Sequence, residues 1–199
     1  MSNEENGQTF VFFGIVGSGK GTQAKLLEDF LKARDGQEMV YVSSGQEYRR
    51  IIESGTQTGS LVKDILEQGK LLPDFLTNSV FIDILISNIS PDKHLIADGY
   101  PRTIAQAQCF EGAMQFYARQ GVKIIYIELS KEEATKRMKL RGRTDDTDGG
   151  ISKRFQEYMN NVIPAMDYFK GKEGYKIYTI NGEQPIPDVH KEIIKALEF

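Results

Sequence analysis

The run Gly14-Ile15-Val16-Gly17-Ser18-Gly19-Lys20-Gly21-Thr22 constrains this chain more than any other segment. It follows the β-rich stretch Thr9 to Phe13 and precedes an amphipathic stretch with an apolar stripe at Leu26, Leu27, Phe30 and Leu31. That is the strand, glycine-rich turn and helix a phosphate loop requires. Glycines let backbone N–H groups curl around an anion without Cβ clashes, and the helix N-terminus adds its positive end. Lys20 supplies a mobile positive charge for β- and γ-phosphates, and Thr22 is placed for a magnesium ion or a phosphate. The usual form carries Ser or Thr directly after the lysine; here Gly21 intervenes. Such a loop is shared by GTPases, motors, kinases and ATP-dependent switches.

The rest of the chain alternates short apolar runs with helical patterns. Further strands are expected at Glu38 to Val42, His94 to Ala97, Val122 to Leu129 and Tyr175 to Ile180. Their apolar character on both faces predicts parallel strands buried between helices. Helices are expected around Leu61 to Leu66, closed by Gly69, from Pro73 to about Asn88, and over Thr103 to Ala118. Others are expected over Lys131 to Leu140, Ser152 to Phe169 and Asp188 to Leu197, with Pro185 and Pro187 in the loop before the last. The fold class is therefore α/β: a parallel five-stranded sheet flanked by helices with right-handed crossovers. The connection between the second and third strands far exceeds the ~10–12 residues a crossover needs. The surplus suggests a helical lobe that could cover a ligand.

Composition narrows the partners. A net charge of −3 argues against a general nucleic-acid or anionic-membrane surface, so any basic site must be a local cluster. No stretch approaches ~20 apolar residues, and the acidic start Met1 to Gly7 has no signal-peptide core, so the expected setting is the cytoplasm. The one cysteine, Cys109, excludes an intrachain disulfide and a Cys-rich zinc site and reads as a packing residue. His94 and His190 lack ligand spacing and read as structural. The aromatic residues read as core.

Asp98 closes the third strand. A carboxylate at the C-terminal end of a strand beside the phosphate-loop strand can hold magnesium, directly or through water. Arg102, Arg137, Arg141, Arg143 and Arg154 follow. Phosphoryl transfer needs positioned cations more than a base, and the guanidinium fork suits that task.

In order along the chain these residues resemble the adenylate kinase branch of the nucleoside monophosphate kinases. The resemblance rests on Gly17-Ser18-Gly19-Lys20-Gly21-Thr22, on Val42-Ser43-Ser44-Gly45 with Arg49, and on Gly69-Lys70-Leu71-Leu72-Pro73-Asp74. It continues through Asp98-Gly99-Tyr100-Pro101-Arg102-Thr103 with Gln106, then Arg137, Arg141, Arg143-Thr144-Asp145-Asp146, Lys153-Arg154 and Asn181-Gly182. It implies one kinase domain with a core (8–42, 74–136 and 155–199), an AMP-binding helical lobe (about 43–73) and a lid (about 137–154).

The resemblance also implies roles. Gly17 to Thr22, Arg137, Arg141 and Gln184 would hold ATP, with Arg137 stacking on its adenine. Ser44, Arg49, Lys70, Leu71, Leu72, Gly99, Tyr100, Pro101 and Arg102 would hold AMP, Gln106 would read the adenine edge, and Arg143 and Arg154 would close on the phosphates. Lys20, Arg102, Arg143 and Arg154 would act in catalysis, Asp145 and Asp146 would orient the lid arginines, and Asp98 would bind Mg2+ through water. A monomer using ATP and AMP, without nucleic acid or membrane, is expected.

The chain departs from the family pattern at several points. Val16 stands for the frequent Pro, Gln46 for Asp, Tyr100 for Phe and Ser44 for Thr. Only Gly142 separates Arg141 from Arg143, which excludes a long, zinc-bearing lid. Two other readings remain open here. One is a UMP/CMP kinase, from which Ser44 and Gln106 lean away. The other is a non-catalytic nucleotide sensor, from which the arginine set leans away.

Overall fold

The computed structural model describes residues 7–142 and 147–199. Arg143, Asp145 and Asp146, assigned to the lid above, lie outside these residues. Five strands form one sheet: β1 (Thr9–Gly14), β2 (Met39–Ser43), β3 (His94–Asp98), β4 (Val122–Glu128) and β5 (Tyr175–Asn181). Their order is β2-β3-β1-β4-β5, and every pairing is parallel.

The period-two alternation of each strand feeds two separate cores. Phe10, Phe12, Ile96, Ile125 and Ile127 face α1 (Lys20–Asp35) and α9 (Ile186–Ala196), meeting Leu27, Leu31, Val189 and Ile193. Val11, Phe13, Leu95, Ala97 and Ile124 form the other face. They pack with Phe81 and Leu85 of α4 (Asp74–Asn88), Phe110 of α5 (Ile104–Phe116), and Met166 and Phe169 near α8 (Ile163–Asp167). Both faces are apolar because both are covered, as the continuous apolar runs predict.

The long connection after β2 is helical: α2 (Ser44–Glu53) and α3 (Gln57–Glu67) pack on each other before α4 begins. This lobe has its own small core of Tyr48, Val62 and Leu72. On the other side, α6 (Lys131–Arg141) and α7 (Asp148–Glu157) bury Ala134, Met138, Ile151 and Phe155 against Ile15 of the glycine-rich loop. The lobe and α7 touch across the cleft, where a Cβ on Gly69 would lie 2.9 Å from the Gly150 carbonyl oxygen.

Some boundaries differ from the sequence expectation. The single helix expected over Ser152 to Phe169 begins at Asp148, because the Thr147 hydroxyl accepts from the Gly150 N–H and caps it. It then widens into a π turn over Tyr158–Val162, with the Ile163 N–H bonding the Tyr158 carbonyl, and continues as α8. Pro164 has no N–H to give the carbonyl four residues earlier, so the ladder shifts by one residue there. Pro187 lies within α9, in its first turn, where a missing N–H breaks no bond.

Candidate active site

In this strand order β1 lies between β3 and β4, so the connections from β1 leave the sheet at a topological switch point. Open parallel sheets bind ligands at the carboxyl ends of strands beside such a point. The glycine-rich loop leaves β1 there, and Asp98 ends the adjacent β3. A cleft of about 820 Å³ opens above them, within the range of small-ligand sites.

Lys20 opens α1 and lines this cleft. Its Nζ donates to the carbonyls of Gly14 at 2.7 Å and Ile15 at 3.0 Å. Burial pushes its pKa down to about 8. Asp98 counteracts that shift, and the cations Arg102 and Arg141 reinforce it. A polyanionic ligand would reverse it. Ser18 is buried, and its Oγ makes no hydrogen bond to the described residues. A buried unpaired hydroxyl in a glycine-rich anion loop is a donor waiting for an acceptor. Thr22 and Gly19 are exposed at the helix start.

Asp98 reaches toward the same loop. A Cβ on Gly21 would lie 3.1 Å from Asp98 Oδ2 and meet nothing else, so the glycine after the lysine leaves room for this carboxylate. Tyr41 Oη donates to Asp98 Oδ2 at 3.4 Å, and burial followed by the nearby carboxylate pushes the phenol well above its usual range. Tyr41 is therefore a donor throughout ordinary pH and orients the carboxylate. Among the described residues no cluster of three or more His, Cys, Asp or Glu could hold a metal alone. One carboxylate beside a phosphate loop instead suits magnesium, which keeps its waters and shares substrate phosphates.

Arg102 lies on the other wall. Its Nε donates to the Gly99 carbonyl at 2.7 Å, and its Nη2 donates to Ser44 Oγ at 3.1 Å. Gly99 has φ +77, and a Cβ there would meet both Arg102 Nη2 and Ser44 Oγ at 2.7 Å, so only glycine fits. Arg49, Lys70, Leu71, Pro101, Arg141 and Arg154 line the same cleft. Six cations assigned from sequence (Lys20, Arg49, Lys70, Arg102, Arg141 and Arg154) thus converge on one cavity.

Other assigned residues do not face it. Ser44 and Leu72 are buried beneath it, 3% and 4% exposed. Tyr100, 1% exposed, stacks on Phe81 at 4.2 Å between ring centroids, and its hydroxyl donates to Asn78 Oδ1. Gln106 is also 1% exposed. Its Oε1 accepts from the Arg102 backbone N–H, and its Nε2 donates to Asp74 Oδ1, both at 2.8 Å. Its amide is thus already committed on both sides. Arg137 is paired with Glu133 at 2.8 Å one turn earlier on α6. Gln184 donates to the Asn181 carbonyl at the end of β5 and to Glu192 of α9.

The cleft also has walls that sequence reasoning passed over: Tyr48, Ile52, Lys63 and Glu67 from the lobe, Glu157 at the end of α7 and Tyr158 at the start of the π turn. Tyr158 Oη bonds Tyr126 Oη of β4 at 2.9 Å, which ties the π turn to the sheet. The available signal was Tyr48, an aromatic next to Arg49 on the same short helix.

A profile of the adenylate kinase family matches residues 12–174. Among curated proteins, an adenylate kinase of Thermosipho africanus is 30% identical over 94% of this chain and 98% of its own length. One from a Cyanothece species is 33% identical over 92% and 91%. One from Corynebacterium urealyticum is 30% identical over 94% and 98%.

Proposed function

The chain belongs to the adenylate kinase family, and from that premise we propose how its own residues carry the transfer of a phosphoryl group between ATP and AMP. The observation that supports the assignment of roles is the convergence of Lys20, Arg49, Arg102, Arg141 and Arg154 on one cleft between the glycine-rich loop and the helical lobe.

ATP phosphates lie in the loop, against its N–H groups, Ser18 Oγ and Lys20, with Thr22 at the helix start. Arg141 meets the same phosphates, and Arg137 and Gln184 border the donor base. AMP occupies the lobe side, its phosphate on Arg49 and Arg102, its pocket edged by Lys70, Leu71, Gly99 and Pro101. Leu72, Tyr100 and Gln106 support that wall from behind. The AMP phosphate oxygen attacks the γ-phosphorus in line. It is already largely ionised at neutral pH, so no general base is needed. Lys20, Arg102 and Arg154 balance charge on the transferring group.

Asp98, oriented by Tyr41, would hold Mg2+ through water, and the bound ion neutralises phosphate charge. Arg143, Asp145 and Asp146 complete the lid in this reading. In this reading residues 8–42, 74–136 and 155–199 are the core, about 43–73 the lobe and about 137–154 the lid, and closure of lobe and lid excludes water as a competing acceptor. The reading is of a monomer. The same reading has it act in the cytoplasm on free nucleotides, without nucleic acid or membrane.

The test is product chromatography. Protein with magnesium-ATP is mixed with AMP, UMP, CMP, GMP or no acceptor. ADP appearing only with AMP, and ATP plus AMP forming from ADP alone, is the expected result. UDP or CDP formation would reassign the acceptor, and ATP binding without transfer would remove the catalytic roles.

A further inference from the structure

Ser44, Gly99 and Arg102 form a closed ring of hydrogen bonds. Ser44 Oγ donates to the Gly99 carbonyl at 2.8 Å and accepts from Arg102 Nη2 at 3.1 Å, while Arg102 Nε donates to the same carbonyl at 2.7 Å. The parallel register Ser43↔Asp98 creates this ring, because it brings the residues after each strand end, Ser44 and Gly99, side by side. Arg102 lines the cleft, whereas Ser44 is 3% exposed and lies behind it.

From this we infer that Ser44 is a positioning residue for Arg102 and acts on the transferred phosphate through that arginine, not by contact with the acceptor base. The inference rests on the phosphate-binding role proposed for Arg102. A guanidinium has five N–H donors. Here Nε–H and one Nη2–H are held by the protein, which leaves the Nη1 pair and the second Nη2–H for phosphate oxygens. The hydroxyl is the one group in the ring that both donates and accepts, so it fixes the guanidinium plane against the Gly99 carbonyl before substrate arrives. Fixing a flexible cation in advance favours the transition state, because no ordering remains for the moment of transfer. Ser44 also begins α2, so the lobe itself carries part of the alignment of a core arginine.

The experiment is a double-mutant cycle on the full chain with Ser44→Ala, Arg102→Lys and the pair, together with Ser44→Thr and inhibition by adenosine, which has the base but no phosphate. Ser44→Ala should lower kcat between about 10- and 100-fold, with KM for ATP and the adenosine inhibition constant unchanged. Ser44→Thr, which keeps the hydroxyl, should restore at least about half of the rate, the hydroxyl being both donor and acceptor. In the Arg102→Lys background the same Ser44→Ala change should cost less than about twofold more, since the two residues act as one unit. Ser44→Cys, close in size with a weak donor, carries the same expectation if the alanine variant fails to fold. Weakened adenosine inhibition with kcat retained would overturn the inference in favour of base reading. So would an undiminished kcat, or a full additional loss on Arg102→Lys. A full rate in Arg102→Lys alone would instead remove the phosphate role of Arg102 on which the inference rests.

Discussion

Asp98 lies against the backbone of Gly21, so close that a methyl group on that glycine would sit 3.1 Å from the carboxylate. Gly21 is exposed in the first turn of α1, where alanine is the better helix former by about 0.8–1 kcal/mol. Stability and function therefore pull in opposite directions. Gly21→Ala is expected to hold or raise the melting temperature while lowering kcat with magnesium-ATP by about tenfold, roughly 1.4 kcal/mol of barrier. A thermal melt and a magnesium titration of kcat on the same sample check both halves.

Arg102→Lys replaces a fork held at two points by a single ammonium. It should cut kcat at least ~100-fold with the fold intact, as for other donors aimed at developing charge. Steady-state kinetics beside a circular dichroism spectrum decide it; an unchanged kcat would refute the role.

Lys20→Met should nearly abolish transfer without loss of stability, because burial already pushes the ammonium down to about 8 and its removal relieves that burden. Raising pH through about 8 removes the cation from the free protein, so kcat/KM for ATP should fall above that pH. Lys20→Arg, whose guanidinium does not titrate there, should run slower but lose this limb of the profile. A pH series from about 6.5 to about 9.5, roughly one and a half units either side of the value, makes the comparison.

Arg119 is a clamp at the opposite end of the sheet. Its guanidinium donates to the carbonyls of Gly7, Gln8, Ser90 and Lys93 and to Thr9 Oγ1, joining three segments that meet beneath β1 and β3. Burial lowers its pKa. Arg119→Leu takes the guanidinium from all five acceptors, of which the Gln8 carbonyl keeps the Leu95 N–H, and should cost about 3 kcal/mol, or roughly 6–12 °C in Tm for a chain of this size. kcat at 25 °C should hold, since the clamp lies far from the cleft. A large fall in kcat with Tm unchanged would show that the clamp acts on the site.

His94 sets an acid limit. It is 1% exposed; its Nδ1 accepts from the Gln8 N–H, and its Nε2 donates to Asp35 at 3.2 Å. Burial holds its pKa below the usual 6.5, against the opposing pull of Asp35. The unfolded chain then takes up the proton more readily, so stability is present above about 6.5 and lost as pH falls below it. Asp35, lowered in the folded state, adds a second loss at still lower pH. Tm measured from pH 7.5 to 5 should decline, and His94→Gln should flatten the part of the slope nearest pH 6.

Local features were legible in the sequence. The strand before Gly14, the helix after Lys20, the parallel sheet and the long helical insertion follow from short-range periodicity and turn chemistry. Of the cations the motifs name, Lys20, Arg49, Lys70, Arg102, Arg141 and Arg154 line one cleft, whereas Arg137 pairs with Glu133. The π turn was not legible as such, although its cause, Pro164, stands in the chain; a proline inside a helical pattern does not say whether the ladder kinks, ends or widens.

By itself, then, the sequence determined the phosphate loop, the fold class and the set of cations, because each depends on residues near one another in the chain. Only the tertiary structure decided which groups the site residues lean on. Ser44 meets Gly99, Tyr41 meets Asp98 and Gln106 meets Asp74 across strands and helices far apart in sequence. Parallel strands pair through crossovers, so the residue opposite a given strand end is set by register and sheet order, and neither is written in the periodicity of any one segment.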